Sequence, residues 1–252
     1  MSNETEQRLA ASLTAQTTEL IPYLPYLLQD FYELGADPEV VEALLRKHTD
    51  IGADTRILEL ACGKGAVGIR LAKAFGCSVY GADLMPTFID EAKAAAANAG
   101  LSDRCVYETG DVNEVLKTAR GFDIAIMTDV SEILGCSIDT VRKLKGTVKP
   151  DGYVLIEDAY EGCAGSGYAT RGQWHEAFEN AGVRVVCEEK ADADELHTEI
   201  AREMEWIKQR AQELSDKYPK KREMFEEYVK RQIAEGNALE NDLVCVTWLL
   251  QA

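Results

Sequence analysis

No run of apolar residues in this chain is long enough to cross a bilayer, and no pair of cysteines is spaced Cys-x-x-Cys. Histidine is scarce, with His48, His175 and His197 far apart and in no ligand motif, so no resident metal is expected. The seven cysteines (62, 77, 105, 136, 163, 187 and 245) are scattered and odd in number. That pattern suits reduced thiols and a cytoplasmic location rather than a disulfide framework. The opening residues MSNETEQRLAASLTAQ hold no basic segment followed by an apolar one, and no secretory leader is expected. Base is short relative to acid, 27 Lys and Arg against 44 Asp and Glu, for a formal charge of −17. Such a surface repels phosphate backbones and anionic lipid, so neither nucleic acid nor membrane is expected as a partner. The one basic cluster, KYPKKR at 217–222, reads as a solvated helix start.

What is present, from residue 56 on, is an alternation of short apolar runs with helical stretches. RILELA, SVYGADL, CVYETGD, FDIAIMTD and GYVLIEDAY read as strands, with helices between them. Strands alternating with helices of this length imply parallel βαβ units. A Gly-rich loop, a helix QWHEAFENAG and a sixth strand VRVVCEEK follow, and DLVCVTWLL closes the chain as a seventh. The apolar continuity of 243–250 calls for burial on both faces, beside the fifth strand and antiparallel to it. Ahead of this core, residues 4–34 read as helical with breaks at Pro22 and Pro25, and Asp37-Pro38 starts a further helix.

The first strand runs into Gly63-Lys64-Gly65-Ala66-Val67-Gly68, which fits G-x-G-x-x-G. Glycines there let a tight strand-to-helix turn bring backbone N–H groups close to a ligand. Asp83, twenty residues beyond Gly63, stands where it accepts both hydroxyls of a ribose. Together they predict an adenosine-type ligand. Glu59 then discriminates: a carboxylate beside the turn opposes a pyrophosphate and favours a ligand that carries positive charge instead.

The segment Glu59-Leu60-Ala61-Cys62-Gly63-Lys64-Gly65 resembles the E/D-x-G/A-x-G-x-G signature of class I S-adenosylmethionine (SAM)-dependent methyltransferases. GADLMPTFIDEAKAAAANAG, ETGDVNEV, FDIAIMTDVSEIL and VKPDGYVLIEDAY resemble that family's later motifs, in order, over residues 56–160. Ala61, Cys62 and Asp151 depart from it, Ala61 and Asp151 standing where glycine is usual. The resemblance implies an α/β fold, a doubly wound, seven-stranded, mostly parallel sheet with an added helical cap. It also implies SAM as cofactor, S-adenosylhomocysteine as product, and a cofactor site of Glu59, Ala61, Gly63, Gly65, Asp83, Leu84, Met85, Asp111, Val112 and Thr128. In that reading Asp83 holds the ribose, Leu84 and Met85 flank the adenine, Asp111 takes its amino group and Val112 packs on the ring.

The segmentation expected is N-terminal helices over 1–50, a SAM-binding core over 51–191, a helical insertion over 192–240 and the last core strand over 241–252. The signatures of base-modifying, protein-arginine and metal-dependent catechol-type relatives are missing, which leaves a small organic molecule as methyl acceptor. Asp129, Glu132, Asp158, Tyr160 and Tyr32 are the candidate substrate residues, and their acidity suits an amine. No catalytic residue is assigned. The stripe Leu196, Ile200, Met204, Ile207, Ala211 and Leu214 must bury, either in a lid shared with Tyr23, Tyr26, Phe31 and Tyr32 or in a homodimer contact. The alternative function is a SAM-binding module, or SAM-using chemistry without methyl transfer.

Overall fold

The structure, a computed structural model, describes residues 3–128, 131–163 and 165–252. Its strands are β1 (Arg56–Leu60), β2 (Ser78–Asp83), β3 (Cys105–Thr109), β4 (Phe122–Thr128), β5 (Val148–Glu161), β6 (Arg184–Lys190) and β7 (Leu243–Gln251). They form one seven-stranded sheet in the order β3-β2-β1-β4-β5-β7-β6. The pairs among β1 to β5 are parallel, and β6 pairs with β7 antiparallel. Ala252 donates to the Gly152 carbonyl at the start of β5, and Gly162 donates to Asp242 just ahead of β7, both at 2.8 Å. Opposite ends of β5 and β7 therefore meet, and β7 runs antiparallel beside β5 as the sequence predicts.

The chain divides into two compact units. One holds Tyr32–Tyr160, Ala169–Lys190 and Val246–Ala252. Its helices are α3 (Pro38–His48), α4 (Ala66–Phe75), α5 (Pro86–Asn98), α6 (Val112–Thr118), α7 (Ser137–Lys145) and α8 (Arg171–Ala181), with α1 (Asn3–Ser12) and α2 (Leu24–Leu27) in the other unit. Nearly every side chain of β4 is buried, as a parallel strand covered on both faces requires. Asp37 caps α3 by accepting from the Glu39 N–H at 2.7 Å, ahead of Pro38 at the first helical position. Arg70 of α4 pairs with Glu39 and Glu42 of α3. Thr170 and Gln173 make a capping box at the start of α8.

The other unit holds Met1–Phe31, Glu161–Tyr168 and Ala191–Cys245. It contains α1 (Asn3–Ser12), α2 (Leu24–Leu27), α9 (Ala193–Lys217) and α10 (Arg222–Asn241). The run 4–34 is less helical than its apolar spacing suggests. A 3₁₀ turn over Thr18–Tyr23 and the single turn of α2 replace a continuous helix, because Pro22 and Pro25 withhold N–H donors. In the stripe on α9, Ile200, Ile207, Ala211 and Leu214 are buried. The cover comes from within this unit: Gly236 of α10 leaves no room for a Cβ beside Ile200, and Trp206 meets Phe31 edge-on at 5.5 Å. Arg210 of α9 grips Asp30 with two hydrogen bonds of 2.6 and 2.8 Å. Among the described residues, no helix is long and apolar enough to cross a membrane.

Candidate functional site

β1 has β2 on one side and β4 on the other: the chain builds outward through β2 to β3, then crosses back past β1 to begin β4 on its far side. That arrangement opens a crevice at the carboxyl ends of the strands, where ligands of doubly wound sheets bind. The glycine-rich turn stands at the tip of β1. Ala61, Gly63 and Gly65 all have positive φ, at 54°, 50° and 76°. Gly65 is the residue before α4 and brings no capping side chain.

The amides of this turn are largely engaged inside the protein. Cys62 donates to the Ala82 carbonyl at 3.1 Å and Gly65 to the Cys62 carbonyl at 2.8 Å. Gly63 donates to Asp83 Oδ2 at 3.0 Å, and Asp83 Oδ1 accepts from the Met85 N–H at 2.8 Å. Asp83 is thus anchored at the tip of β2, with the Leu84 N–H also facing its carboxylate. Burial raises its pKa against the lowering effect of those amides.

Glu59 lies beneath the first turn of α4. It is almost fully buried, and its Oε2 makes no hydrogen bond. The Gly68 N–H, third in the helix, faces the carboxyl, so a side chain from β1 does the work of the missing cap. Burial outweighs that hydrogen bond and pushes the Glu59 pKa up to about 8. The amino end of α4, elsewhere a seat for phosphate, is already covered from below by a carboxyl group.

The remaining expected cofactor residues gather at the same edge. Gly110 donates to the Asp83 carbonyl at 2.9 Å, which ties the end of β3 to that of β2. Asp111 then caps α6 through the Asn113 N–H at 2.9 Å, with Val112 buried behind it. Met85 is buried and Leu84 half-buried. Thr128 ends β4 level with Glu157 of β5.

Of the expected substrate residues, Asp129 and the side chain of Glu132 lie outside the described residues. Asp158 is half-buried near the end of β5, and burial pushes its pKa up to about 6. Tyr32 is half-exposed, and its phenol is raised by burial first, then by Glu33 and Glu59. Leu34, two residues on, packs against Gly63. Tyr160 is buried, 6.2 Å from Trp248 in an aromatic cluster with Trp174 and Phe178.

Two residues of the turn's surroundings escaped the motifs. Lys64 is buried, with Nζ 3.0 Å from Glu91 and 5.7 Å from the Phe88 ring centroid. Nothing about a lysine between two glycines signals that. Tyr107 is buried and donates to the Gly65 carbonyl at 3.2 Å. The alternation of CVYET, with Cys105 and Tyr107 inward, carried that signal.

Residues 57–152 match the family model of a methyltransferase domain. A 27-O-demethylrifamycin SV methyltransferase from Amycolatopsis mediterranei is 26% identical over 106 residues, 42% of this chain and 39% of that protein. The chain spans less than half the length of the curated relatives it matches. A SAM-dependent methyltransferase from Thiobacillus denitrificans, solved with S-adenosylhomocysteine, superposes with a TM-score of 0.74 at 18% identity, covering 91% of this chain and 97% of that one. The [4+2]-cyclase SpnF superposes at 0.70 with 16% identity, over 94% of this chain and 97% of its own. The fold is that of the class I SAM-dependent methyltransferases, in agreement with the resemblance read from the sequence.

Proposed function

We propose that this chain is a SAM-dependent methyltransferase acting on a small organic nucleophile. The observation that carries the reading is the turn. Its amides at Cys62, Gly63 and Gly65 are engaged by the protein, and Glu59 covers the amino end of α4 from below. A pyrophosphate finds few free donors there, whereas a ligand without phosphate needs only the close approach that the glycines permit. Asp83 supplies acceptors for two ribose hydroxyls. Leu84, Met85 and Val112 offer apolar contact to the adenine, and Asp111 an acceptor for its amino group. Ala61, Gly63 and Gly65 line the approach of the amino-acid end.

When bound, SAM supplies an electrophilic methyl group on a good neutral leaving group. What remains for the protein is to align the acceptor, exclude water and receive a proton where the acceptor arrives protonated. Asp158 is the residue best suited to that last task. Its carboxyl sits near the strand ends, and a pKa of about 6 leaves it ionised at neutral pH yet basic enough to take a proton. The acidic surface favours a cationic acceptor such as an amine. The scattered cysteines, in no disulfide among the described residues, support a cytoplasmic setting.

The test is a thermal-shift and calorimetric series with SAM, S-adenosylhomocysteine and NAD, followed by a labelled-methyl screen of metabolite pools. Stabilisation by the first two alone is expected. Equal stabilisation by NAD would overturn the cofactor assignment. Tight SAM binding with no labelled product in any pool would favour the non-methylating alternative.

A further inference from the structure

Part of what the glycines of this turn accommodate is a tyrosine of the chain itself. Tyr107 points inward from β3 and crosses beneath β2 toward the turn. A Cβ on Gly81 of β2 would stand 2.4 Å from Tyr107 Cδ1, and one on Gly65 would stand 2.8 Å from its Cζ. One on Gly68 would stand 2.8 Å from the Tyr107 hydroxyl and 2.4 Å from Glu59 Oε2. The three glycines outline a slot that the phenol fills, and Glu59 shares its inner end. The hydroxyl donates to the Gly65 carbonyl, which also accepts the Ile69 N–H at 3.0 Å, so both lone pairs of that oxygen are in use. Burial first and the Glu59 carboxyl second raise the phenol far above its ordinary range, and it stays a donor at every working pH.

Glycine gives a turn the freedom to approach a ligand, and the same freedom lets its peptides flip. A flip between Gly65 and Ala66 would turn a carbonyl oxygen out of the slot. We propose that Tyr107 is the positioning residue of the glycine-rich turn, its ring the template for Gly65, Gly68 and Gly81 and its hydroxyl the latch on the Gly65 carbonyl. The proposal rests on the cofactor reading above only for what the turn is positioned to receive.

Tyr107→Phe in the full chain keeps the ring and removes the latch. Hydrogen exchange in the free protein is expected to rise about three- to tenfold for amides over 61–70, the loss of one neutral hydrogen bond, and to stay unchanged in α8. The dissociation constant for S-adenosylhomocysteine is expected to rise by a similar factor, while the melting temperature moves by only a few degrees. A purely structural role would lower the melting temperature and leave the affinity of the folded protein intact. Unchanged affinity in a folded variant, with or without faster exchange, overturns the proposal. Should the wild type fail to bind S-adenosylhomocysteine at all, it is the cofactor reading that falls. The exchange measurement then decides by itself whether Tyr107 holds the turn.

Discussion

The strand ends of β1, β2 and β3 and those of β4 and β5 are two halves of one crevice, built in different ways. In the first half the acidic side chains already hold backbone amides: Asp83 those of Gly63 and Met85, Asp111 that of Asn113, and Glu59 faces that of Gly68. The ligand-facing surface is shaped before any ligand arrives. In the second half Asp158 holds only the N–H of its neighbour Ala159, among the hydrogen bonds of the described residues, and burial leaves its carboxyl near pKa 6. The first half has the construction of a fixed receptacle and the second that of a reactive rim. Rigid backbone geometry demands particular residue types, and a rim does not.

The largest effect expected from that difference is at Glu59. Its folded pKa of about 8 lies above the unfolded value of 4.5, so the fold favours the protonated form. Its contribution to stability is full below pH 4.5 and is lost as pH rises through about 8. The swing is on the order of 5 kcal/mol in the limit where no neighbour relaxes. Glu59→Gln keeps an acceptor for the Gly68 N–H and never ionises, so this loss should be missing from its curve over that range. Urea midpoints from pH 5 to 9 check this. Parallel curves for the two proteins would mean that the buried carboxyl is solvated after all. Asp158→Asn, on the rim, should shift the pH dependence of methyl transfer and also remove a second, smaller stability loss, the one that sets in above pH 3.8 and is complete as pH rises through about 6.

Next in size is the ligand contrast. Asp83→Ala removes the anchor of Gly63 along with two ribose acceptors, and should weaken S-adenosylhomocysteine binding by about 1.5–3 kcal/mol. Asp158→Asn should leave that affinity unchanged while slowing methyl transfer. Calorimetric titration of both variants separates the halves. A loss of affinity in the Asp158 variant as large as in the Asp83 variant would dissolve the distinction.

This division also governs how much could be read from the sequence. The sheet was legible because strands buried on both faces appear as apolar runs whether parallel, as β4, or antiparallel, as β7. The turn on which the proposed cofactor site rests was legible because a left-handed turn and a caged carboxylate restrict residue choice at Gly63, Gly65 and Asp83. Glu59 was found, but its direction was not: the sequence does not tell a carboxylate facing the crevice from one folded under α4. Tyr107 went unnoticed because an inward tyrosine in a strand is ordinary until its ring is seen against three glycines. Tyr160 was placed with the substrate residues from its position at a strand end, and its packing with the aromatic side chains of α8 and β7 was not read. In the region 4–34 the breaks at Pro22 and Pro25 were legible, whereas how little regular helix remains around them was not.

The smallest expected effect concerns the two places where the chain departs from the glycines usual in the family it resembles. Ala61 and Asp151 both adopt positive φ, at 54° and 63°, so the backbone there keeps the conformation that glycine would take. A non-glycine residue in that region costs roughly 1–2 kcal/mol, whereas replacing it with glycine loosens the unfolded chain by roughly 0.4–1 kcal/mol. Ala61→Gly should therefore stabilise by no more than about 1.6 kcal/mol, and Asp151→Gly by less, since aspartate tolerates the left-handed region better than alanine. The two variants should part in their ligand response. Asp151 is exposed at the start of β5, far along the strand from the crevice, and its replacement should leave S-adenosylhomocysteine affinity unchanged. Ala61 is the first residue of the turn, where a methyl group narrows the backbone's choices, and glycine there should give up a little affinity in exchange for the relieved strain. Paired thermal melts and titrations check both halves of the statement. A destabilised Ala61→Gly with unchanged affinity would show that alanine sits there without strain, and that the rigidity of the turn comes from elsewhere.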